Sequence, residues 1–219
     1  MKKYHFTIGV SIILLSASYI SRAQSVQKPF SGFGLELGIG NNELIHELED
    51  SEFTREYLTF APLARVFYEF PVHRIISLKP FIGYVQFGGK SSVAPNGYQD
   101  DYTFHAIEYG TMVLINYRLI GFRPSIGVKG KYAFSSKQDA YGSAIDDQFA
   151  NREWFENDVS DFFKSNTVNL GIKIDQEVGK YGVGLEAWFG FTDMNKIEMG
   201  QEQLMIFENH YRLVFTYKF

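Results

Sequence analysis

The chain of 219 residues contains no cysteine and only six prolines. Without cysteine, disulfide bonds, thiolate metal ligands and a cysteine nucleophile are all unavailable. Beyond the N-terminal region, charges or glycines interrupt every apolar run well before the ~18 residues that indicate a membrane-spanning helix. The sequence also lacks a nucleophile elbow, a phosphate-binding loop and a histidine pair at helical spacing. These absences predict no catalytic residues, no metal site and no cofactor.

The N-terminus has the pattern of a secretory signal peptide. Lys2 and Lys3 precede a short apolar stretch, and Ser21 and Ala23 are small residues at the −3 and −1 positions of a cleavage site. The apolar stretch is shorter than the ~20 residues that a spanning helix needs. The sequence therefore predicts a signal peptide over 1–23 and one domain over 24–219.

The charge balance becomes more acidic once the signal is removed. The whole chain has 21 Lys and Arg against 25 Asp and Glu. Removing Lys2, Lys3 and Arg22 leaves 18 bases against 25 acids, a net charge of −7. This balance argues against nucleic acid as a partner.

The last nine residues alternate with a period of two. Tyr211, Leu213, Phe215, Tyr217 and Phe219 share one face of a strand, and the other face is mostly polar. A soluble protein rarely leaves such an apolar edge bare, whereas a closed barrel in a lipid bilayer covers the face and removes the edge.

Seven further segments alternate in the same way. The eight are 32–40, 58–70, 76–87, 107–117, 122–134, 168–177, 181–191 and 211–219. Each is near the ~9–11 residues of a tilted membrane strand, and the number is even. The third segment has aromatics on both faces, so the sequence does not decide which face points into the barrel.

The connections between these segments alternate in length. Connections one, three, five and seven are long or medium, whereas two, four and six are short; in order they cover 41–56, 71–75, 89–101, 118–121, 135–166, 179–180 and 193–203. Up-and-down outer-membrane barrels show this parity, with long loops outside and short periplasmic turns.

The first and fifth connections are acidic. This predicts either ordinary solvated loops or contact with lipopolysaccharide through divalent cations, or with a cationic ligand. Partial helical spacing within the fifth leaves a short amphipathic helix or lid, a strand extension and disorder as alternatives.

Together these features resemble the small porin-like outer-membrane β-barrel family of Gram-negative bacteria. The resemblance rests on a signal that ends in Ala23-Gln24, about eight alternating strands and the terminal Phe219. It implies an all-β, antiparallel up-and-down transmembrane barrel located in the bacterial outer membrane. Tyr217 and Phe219 resemble the signal by which the assembly machinery recognises the last strand. The implied partners are the lipid bilayer, lipopolysaccharide and that machinery.

The faces opposite the apolar ones collect the charged residues. The predicted lumen charge network consists of Glu36, Arg65, Glu69, Glu108, Lys129, Lys131, Lys173, Asp175, Glu186 and Arg212. Glu177 and Lys218 share these faces, and Lys79 joins them if the third strand faces outward through Leu78 and Ile82. An eight-stranded interior is only wide enough for side chains to fill it, so we expect a charge-paired polar core. A narrow water path is the alternative.

Three functions stay open at this point. The first is a structural or surface-interaction barrel with acidic extracellular loops, and the second is a narrow porin-like channel. The third is a lipid-modifying enzyme with His105 near the outer rim. Ser91 and Ser92 lie in the neighbouring loop, but Glu108 has the opposite parity to His105 and should face the other side of the wall. The enzyme is therefore the least supported of the three.

Overall fold

The computed structural model describes residues 30–48, 54–58, 60–90, 99–116, 122–141, 154–158, 160–161, 163–195 and 204–219. Ten strands occur in this part of the chain: β1 Gly32–Leu48, β2 Thr54–Leu58, β3 Leu63–His73, β4 Ile76–Lys90, β5 Gln99–Ile115, β6 Arg123–Tyr141, β7 Trp154–Asp158, β8 Asn166–Val178, β9 Tyr181–Gly190 and β10 Leu204–Lys218. Among the described residues, no helix is long and apolar enough to cross a bilayer. The predicted signal peptide lies outside the described residues.

Eight of the strands form a closed antiparallel barrel. The neighbours run in the order β10, β9, β8, β6, β5, β4, β3, β1, and β10 pairs with β1 to close the sheet. The register at the closure pairs Gly34 with Lys218 and continues to Leu48 with Leu204. The predicted up-and-down barrel of about eight strands is confirmed.

Alternation along each strand separates a lipid-facing wall from a filled interior. In β8, exposed and buried positions alternate from Asn166 to Gln176. Val168, Leu170, Ile172 and Ile174 are about half exposed, whereas the residues between them are buried. Apolar side chains cover the outer wall, which is the arrangement that lipid stabilises and water does not.

The third barrel strand, β4, has a defined phase. Ser77, Lys79 and Phe81 are buried in the interior, whereas Ile82 and Tyr84 are exposed on the outer wall. The open question about its phase is therefore settled in favour of the outward Ile82, and Lys79 joins the interior charges.

The strands extend further than the sequence boundaries predicted. Much of the predicted first connection is strand, because β1 continues to Leu48 and β2 pairs with it from Asn42 to His46. β6 likewise continues to Tyr141, and β7 pairs with it over Trp154–Asp158. A helix over this last segment is wrong, and the strand-extension alternative holds there; residues 142–153 lie outside the described part.

Prolines and glycines occupy distinct positions in the barrel wall. Pro62 and Pro124 lie at strand ends, whereas Pro80 is the fifth residue of β4 and is paired with Thr111. Its ring faces lipid on the outer wall. Of the inward glycines, Gly34 and Gly184 leave no cavity, because an added Cβ would lie 2.2 Å from the Phe67 ring or from Asp175 Oδ1.

The tight turn between β8 and β9 is formed by Gly179-Lys180. Gly179 has a φ of 63°, the left-handed region that favours glycine. It lies at the same end of the barrel as the Arg74-Ile75 turn. We call this the short-turn end and the opposite rim the long-loop end.

Candidate functional site: a charge-filled lumen with an apolar mouth

Arg65 of β3 is the hub of the lumen. Its Nε donates to Glu36 at 2.5 Å, Nη1 to Glu108 at 3.0 Å and Nη2 to Glu186 at 2.6 Å. These three glutamates come from β1, β5 and β9, so one guanidinium connects four strands across the barrel. All four side chains are fully buried. The planar fork of arginine suits such convergent recognition of carboxylates.

Glu36 collects further cations on its second oxygen. Lys79 Nζ and Lys173 Nζ donate to Oε1 at 2.6 and 2.7 Å, and Thr216 Oγ1 donates to the same atom at 3.1 Å. Lys173 Nζ also lies 2.7 Å from Asp175 Oδ1. The Glu36 carboxylate therefore receives hydrogen bonds from side chains of four strands, β3, β4, β8 and β10.

Glu108 and Glu186 complete the central layer. Glu108 Oε2 accepts from Lys129 Nζ at 3.0 Å and from Arg212 Nη1 at 3.2 Å. Arg212 also reaches Glu186 at 3.5 Å. A buried charge without a partner costs several kcal/mol, so this mutual pairing is what makes the layer tolerable.

A second charged layer lies toward the short-turn end. Arg123 hydrogen-bonds both Glu69 and Asn116, and it lies 3.4 Å from Glu177. Lys218 Nζ lies 2.8 Å from Glu177 and 3.3 Å from Glu69. The sequence interpretation left Arg123 out of the network, because it lies at the first position of its strand beside a short turn.

A third layer lies toward the long-loop end, and of its charged residues the sequence predicted only Lys131. Lys131 pairs with Glu208, and Thr167 Oγ1 donates to the same carboxylate at 3.0 Å. His210 is fully buried beside them, with Nε2 2.7 Å from Lys131 Nζ and Nδ1 2.5 Å from Asn42 Oδ1. Extending the alternation of the last strand backwards from Arg212 by parity would have found Glu208 and His210.

His210 is contacted on both ring nitrogens. Asn42 Nδ2 donates to the carbonyl of Gln86 at 3.2 Å, so Asn42 presents its Oδ1 to Nδ1 of His210. Arg212 Nη2 lies 3.0 Å from the same Nδ1, and Glu208 Oε2 lies 3.4 Å from Nε2. Each ring nitrogen therefore faces both a donor and an acceptor.

Aromatic rings line the cationic side chains. Lys129 Nζ lies 4.6 Å from the Trp188 ring centroid, and Lys131 Nζ lies 4.0 Å from that of Phe87. The Arg65 guanidinium lies 4.5 Å from the Phe81 ring centroid. Cation–π contacts are worth most when desolvated, as they are here.

Above the charged layers, apolar side chains fill the long-loop end. We call this the mouth cluster; its buried members are Leu44, Leu63, Val85, Phe87, Phe104, Ala106, Phe163, Met194, Ile206 and Val214. Phe87 and Phe104 stack at 4.9 Å, and Phe163 meets Phe104 edge-on at 4.9 Å. Phe163 and Met194 come from the connections and are held by the backbone bond from Lys164 N to Met194 O.

All ten residues of the predicted lumen network lie in the interior, each at most 3 % exposed. Nine of them contact one another or His210 in the central and third layers, and Glu69 lies in the layer toward the short-turn end. Among the described residues, no group of three or more potential ligand side chains is arranged to hold a metal ion.

His105 lies outside the lumen. It is partly exposed on the outer wall, and its Nδ1 hydrogen-bonds Tyr84 Oη at 2.7 Å. Its ring stacks with those of Tyr84 and Phe134 at 6.0 and 6.4 Å. Glu108, by contrast, is buried inside. Ser91 and Ser92 lie outside the described residues.

The two aromatic residues of the proposed assembly signal lie on the outer wall at the short-turn end. The Tyr217 ring lies 5.3 Å from that of Tyr181 and 5.3 Å from that of Phe219. Phe219 N donates to Phe33 O at 3.0 Å, so the last residue still bonds across the closure of the barrel.

A closed eight-stranded barrel with an apolar wall and a polar interior defines the class of integral outer-membrane barrels. Over residues 22–195 the chain matches the family described as outer membrane protein beta-barrel domain. The chain belongs to this family and is located in the bacterial outer membrane. Among curated proteins, none matches the chain.

Solved structures of small outer-membrane barrels are similar to this chain at low identity. Neisserial surface protein A is 11 % identical with a TM-score of 0.49, over 86 % of this chain and 98 % of that one. The attachment invasion locus protein Ail of Yersinia pestis is 11 % identical with a TM-score of 0.41, over 87 % and 100 %. The N-terminal barrel of Pseudomonas aeruginosa OprF is 9 % identical with a TM-score of 0.36, over 87 % and 100 %.

Proposed function

We propose that this outer-membrane barrel has a closed lumen and acts as a structural or surface-interaction protein. The observation that carries the proposal is the filling of the interior at successive levels. Three layers of paired charges occupy the barrel, and the mouth cluster covers them at the long-loop end, which is the extracellular end in barrels of this type. An eight-stranded barrel has no room for both this filling and a water path.

The extracellular rim supports a role at the cell surface. β1 and β6 extend beyond the closed barrel wall and pair with the short strands β2 and β7. These pairs form two-stranded ribbons at the extracellular rim. Six of the thirteen acidic residues of the first and fifth connections lie outside the described residues, and contacts of these connections with lipopolysaccharide or a cationic ligand stay a prediction.

We propose no catalytic role for the outer rim. His105 is the candidate base, but its Nδ1 is engaged by Tyr84 and its ring is stacked between two aromatic rings. Its carboxylate candidate, Glu108, faces the other side of the wall. A histidine in these surroundings fits an aromatic girdle residue better than a catalytic base.

Electrical recording tests the closed lumen directly. Protein that shows a heat-modifiable shift on a gel, and is therefore folded, is reconstituted in planar bilayers. We expect no stable unitary conductance above that of protein-free bilayers. A stable conductance whose size changes in Arg65→Ala or Lys129→Ala would instead support the narrow porin-like channel.

A further inference from the structure

The outer wall of the barrel carries a concave apolar groove that the lumen does not explain. It has a volume of about 550 Å³ and is formed by β5, β6, β8 and β9. Its lining is apolar apart from the hydroxyl of Thr111. The groove is separate from the charged interior, because its side chains point to the opposite side of the same strands.

Two rows of directly paired residues shape the groove. One row crosses the four strands through Thr111, Val128, Leu170 and Phe189, and the next crosses through Val113, Ile126, Ile172 and Ala187. The short side chains Thr111, Val113 and Val128 lie at one end of these rows. Phe189 lies at the other end and, with Phe191, forms a raised aromatic border. The difference in side-chain length produces the concavity.

The wall behind the groove is thin and backed by a single indole ring. Gly127 and Gly171 lie in the groove, and they face Trp188 on the inner side. An added Cβ would lie 2.3 Å from Trp188 Cε3 at Gly171 and 3.2 Å from Cη2 at Gly127. Only glycine backbone therefore separates the buried indole from whatever occupies the groove.

The aromatic border of the groove lies at its end toward the extracellular rim. Phe191 follows the extracellular end of β9, and its backbone N–H bonds the carbonyl of Val168. Just beyond that end lies Lys164, whose side chain is 44 % exposed and which pairs with Asp193 at 3.3 Å. A cation thus lies just past the aromatic border of an apolar groove.

We propose that this groove binds an acyl chain of lipid A, with a phosphate of the same lipid beside Lys164. The apolar wall of an outer-membrane barrel faces lipid, and a lining whose single side-chain polar group is the Thr111 hydroxyl accepts a hydrocarbon chain at little cost in polar desolvation. Lys164 is paired with Asp193 but its side chain is still 44 % exposed, so its ammonium can also contact a phosphate, which favours an anionic headgroup over a zwitterionic one. The proposal does not depend on whether the lumen conducts.

Trp188 lies directly behind the groove, so its fluorescence can report which lipid occupies the groove. Trp154→Phe leaves Trp188 as the single tryptophan, since the chain has two. This protein is reconstituted in vesicles of phosphatidylcholine with brominated acyl chains, which quench tryptophan fluorescence at short range. Unbrominated lipid A or unbrominated phosphatidylcholine is then added in increments, and the recovery of fluorescence is followed.

We expect lipid A to restore half of the fluorescence at a mole fraction about fivefold lower than phosphatidylcholine does, the advantage of roughly one exposed ion pair. Val128→Phe and, separately, Thr111→Phe fill the groove from the lipid side and should abolish this difference. Val66→Phe is the matched control, because Val66 is a half-exposed valine on the outer wall away from the groove. Lys164→Gln removes the ion pair and should remove most of the difference without abolishing quenching.

Coincident recovery curves for the two lipids would show that the groove is bathed by bulk lipid and would overturn the proposal. Equal effects of Val66→Phe and Val128→Phe would overturn the assignment to the groove. An unchanged curve for Lys164→Gln would overturn the placement of the phosphate. Heat-modifiability on a gel verifies that each variant is folded before its curve is compared.

Discussion

The central charge network and the mouth cluster fill the same lumen by opposite means. The network is built from strand residues of alternate parity, and every carboxylate around Arg65 has at least two cationic contacts. The mouth cluster is apolar, and two of its members, Phe163 and Met194, come from connections between strands.

The difference reflects what surrounds each region. The central layer lies at membrane depth, where lipid covers the outside and apolar side chains serve best on the outer wall. Polar residues are thereby directed inward, and they are tolerated there because they pair. The mouth lies at the extracellular rim, where a closed apolar cluster excludes water from the charged layers below.

The largest expected effect comes from removing the hub of the network. Arg65→Met keeps much of the side-chain volume but leaves Glu36, Glu108 and Glu186 short of a partner. We expect a loss of about 3–5 kcal/mol in the free energy of unfolding, because breaking a buried pair leaves uncompensated charge. Urea titration of the detergent-folded barrel, followed by tryptophan fluorescence, measures it.

Lys180→Met is the control for Arg65→Met, because Lys180 is exposed in the turn between β8 and β9. It should change stability by less than about 0.5 kcal/mol. A loss below about 1 kcal/mol for Arg65→Met would contradict a central role of the network in holding the barrel.

Opening the mouth cluster should have a somewhat smaller effect. Phe104 is fully buried against Phe87 and Phe163, so Phe104→Ala should cost about 3 kcal/mol through lost contacts and a cavity. The same unfolding titration measures it. Phe215→Ala is the matched control, since Phe215 is about half exposed on the outer wall and lipid replaces its ring. Equal losses for the two variants would argue against a packed mouth.

Substitutions in the third layer should lower the free energy of unfolding by a smaller amount. His210→Leu removes the ring nitrogens that hydrogen-bond Asn42 and Lys131, and an unsatisfied buried group costs about 1–3 kcal/mol. We expect His210→Gln, which keeps one donor and one acceptor, to lose less than His210→Leu in the unfolding titration. The reverse order would show that the ring volume matters and the hydrogen bonds do not.

The smallest loss of stability is expected for a substitution on the outer wall. His105→Ala removes one partly exposed hydrogen bond to Tyr84, so stability should fall by about 1 kcal/mol or less. Lipid extracts of cells that produce this variant should match the wild type by mass spectrometry. A lipid species that disappears with His105→Ala would contradict the absence of a catalytic role.

The sequence predicted the charged residues of the central network but not the mouth cluster. Alternation along the strands suffices to direct Arg65, Glu108 and Lys173 inward, because parity alone decides the face of a strand. Glu208 and His210 obey the same rule, but they precede Tyr211, where the alternating segment predicted from the sequence begins.

Two members of the mouth cluster depend on information that parity does not carry. Phe163 and Met194 lie in connections, where no period specifies direction, and the backbone bond from Lys164 N to Met194 O joins these two connections. The pairing partners within the network were equally out of reach, because they depend on the register between distant strands such as β3 and β9.

We propose that the lumen is closed independently at two levels, and an ion-flux measurement on liposomes tests this most directly. Wild-type protein, the double variant Phe104→Ala with Phe163→Ala and protein-free liposomes are compared for the decay of an imposed potassium gradient. We expect the same slow decay for all three, because the paired charges around Arg65 still block the barrel after the mouth is opened. Rapid decay with the wild-type protein, or with the mouth variant alone, would contradict it.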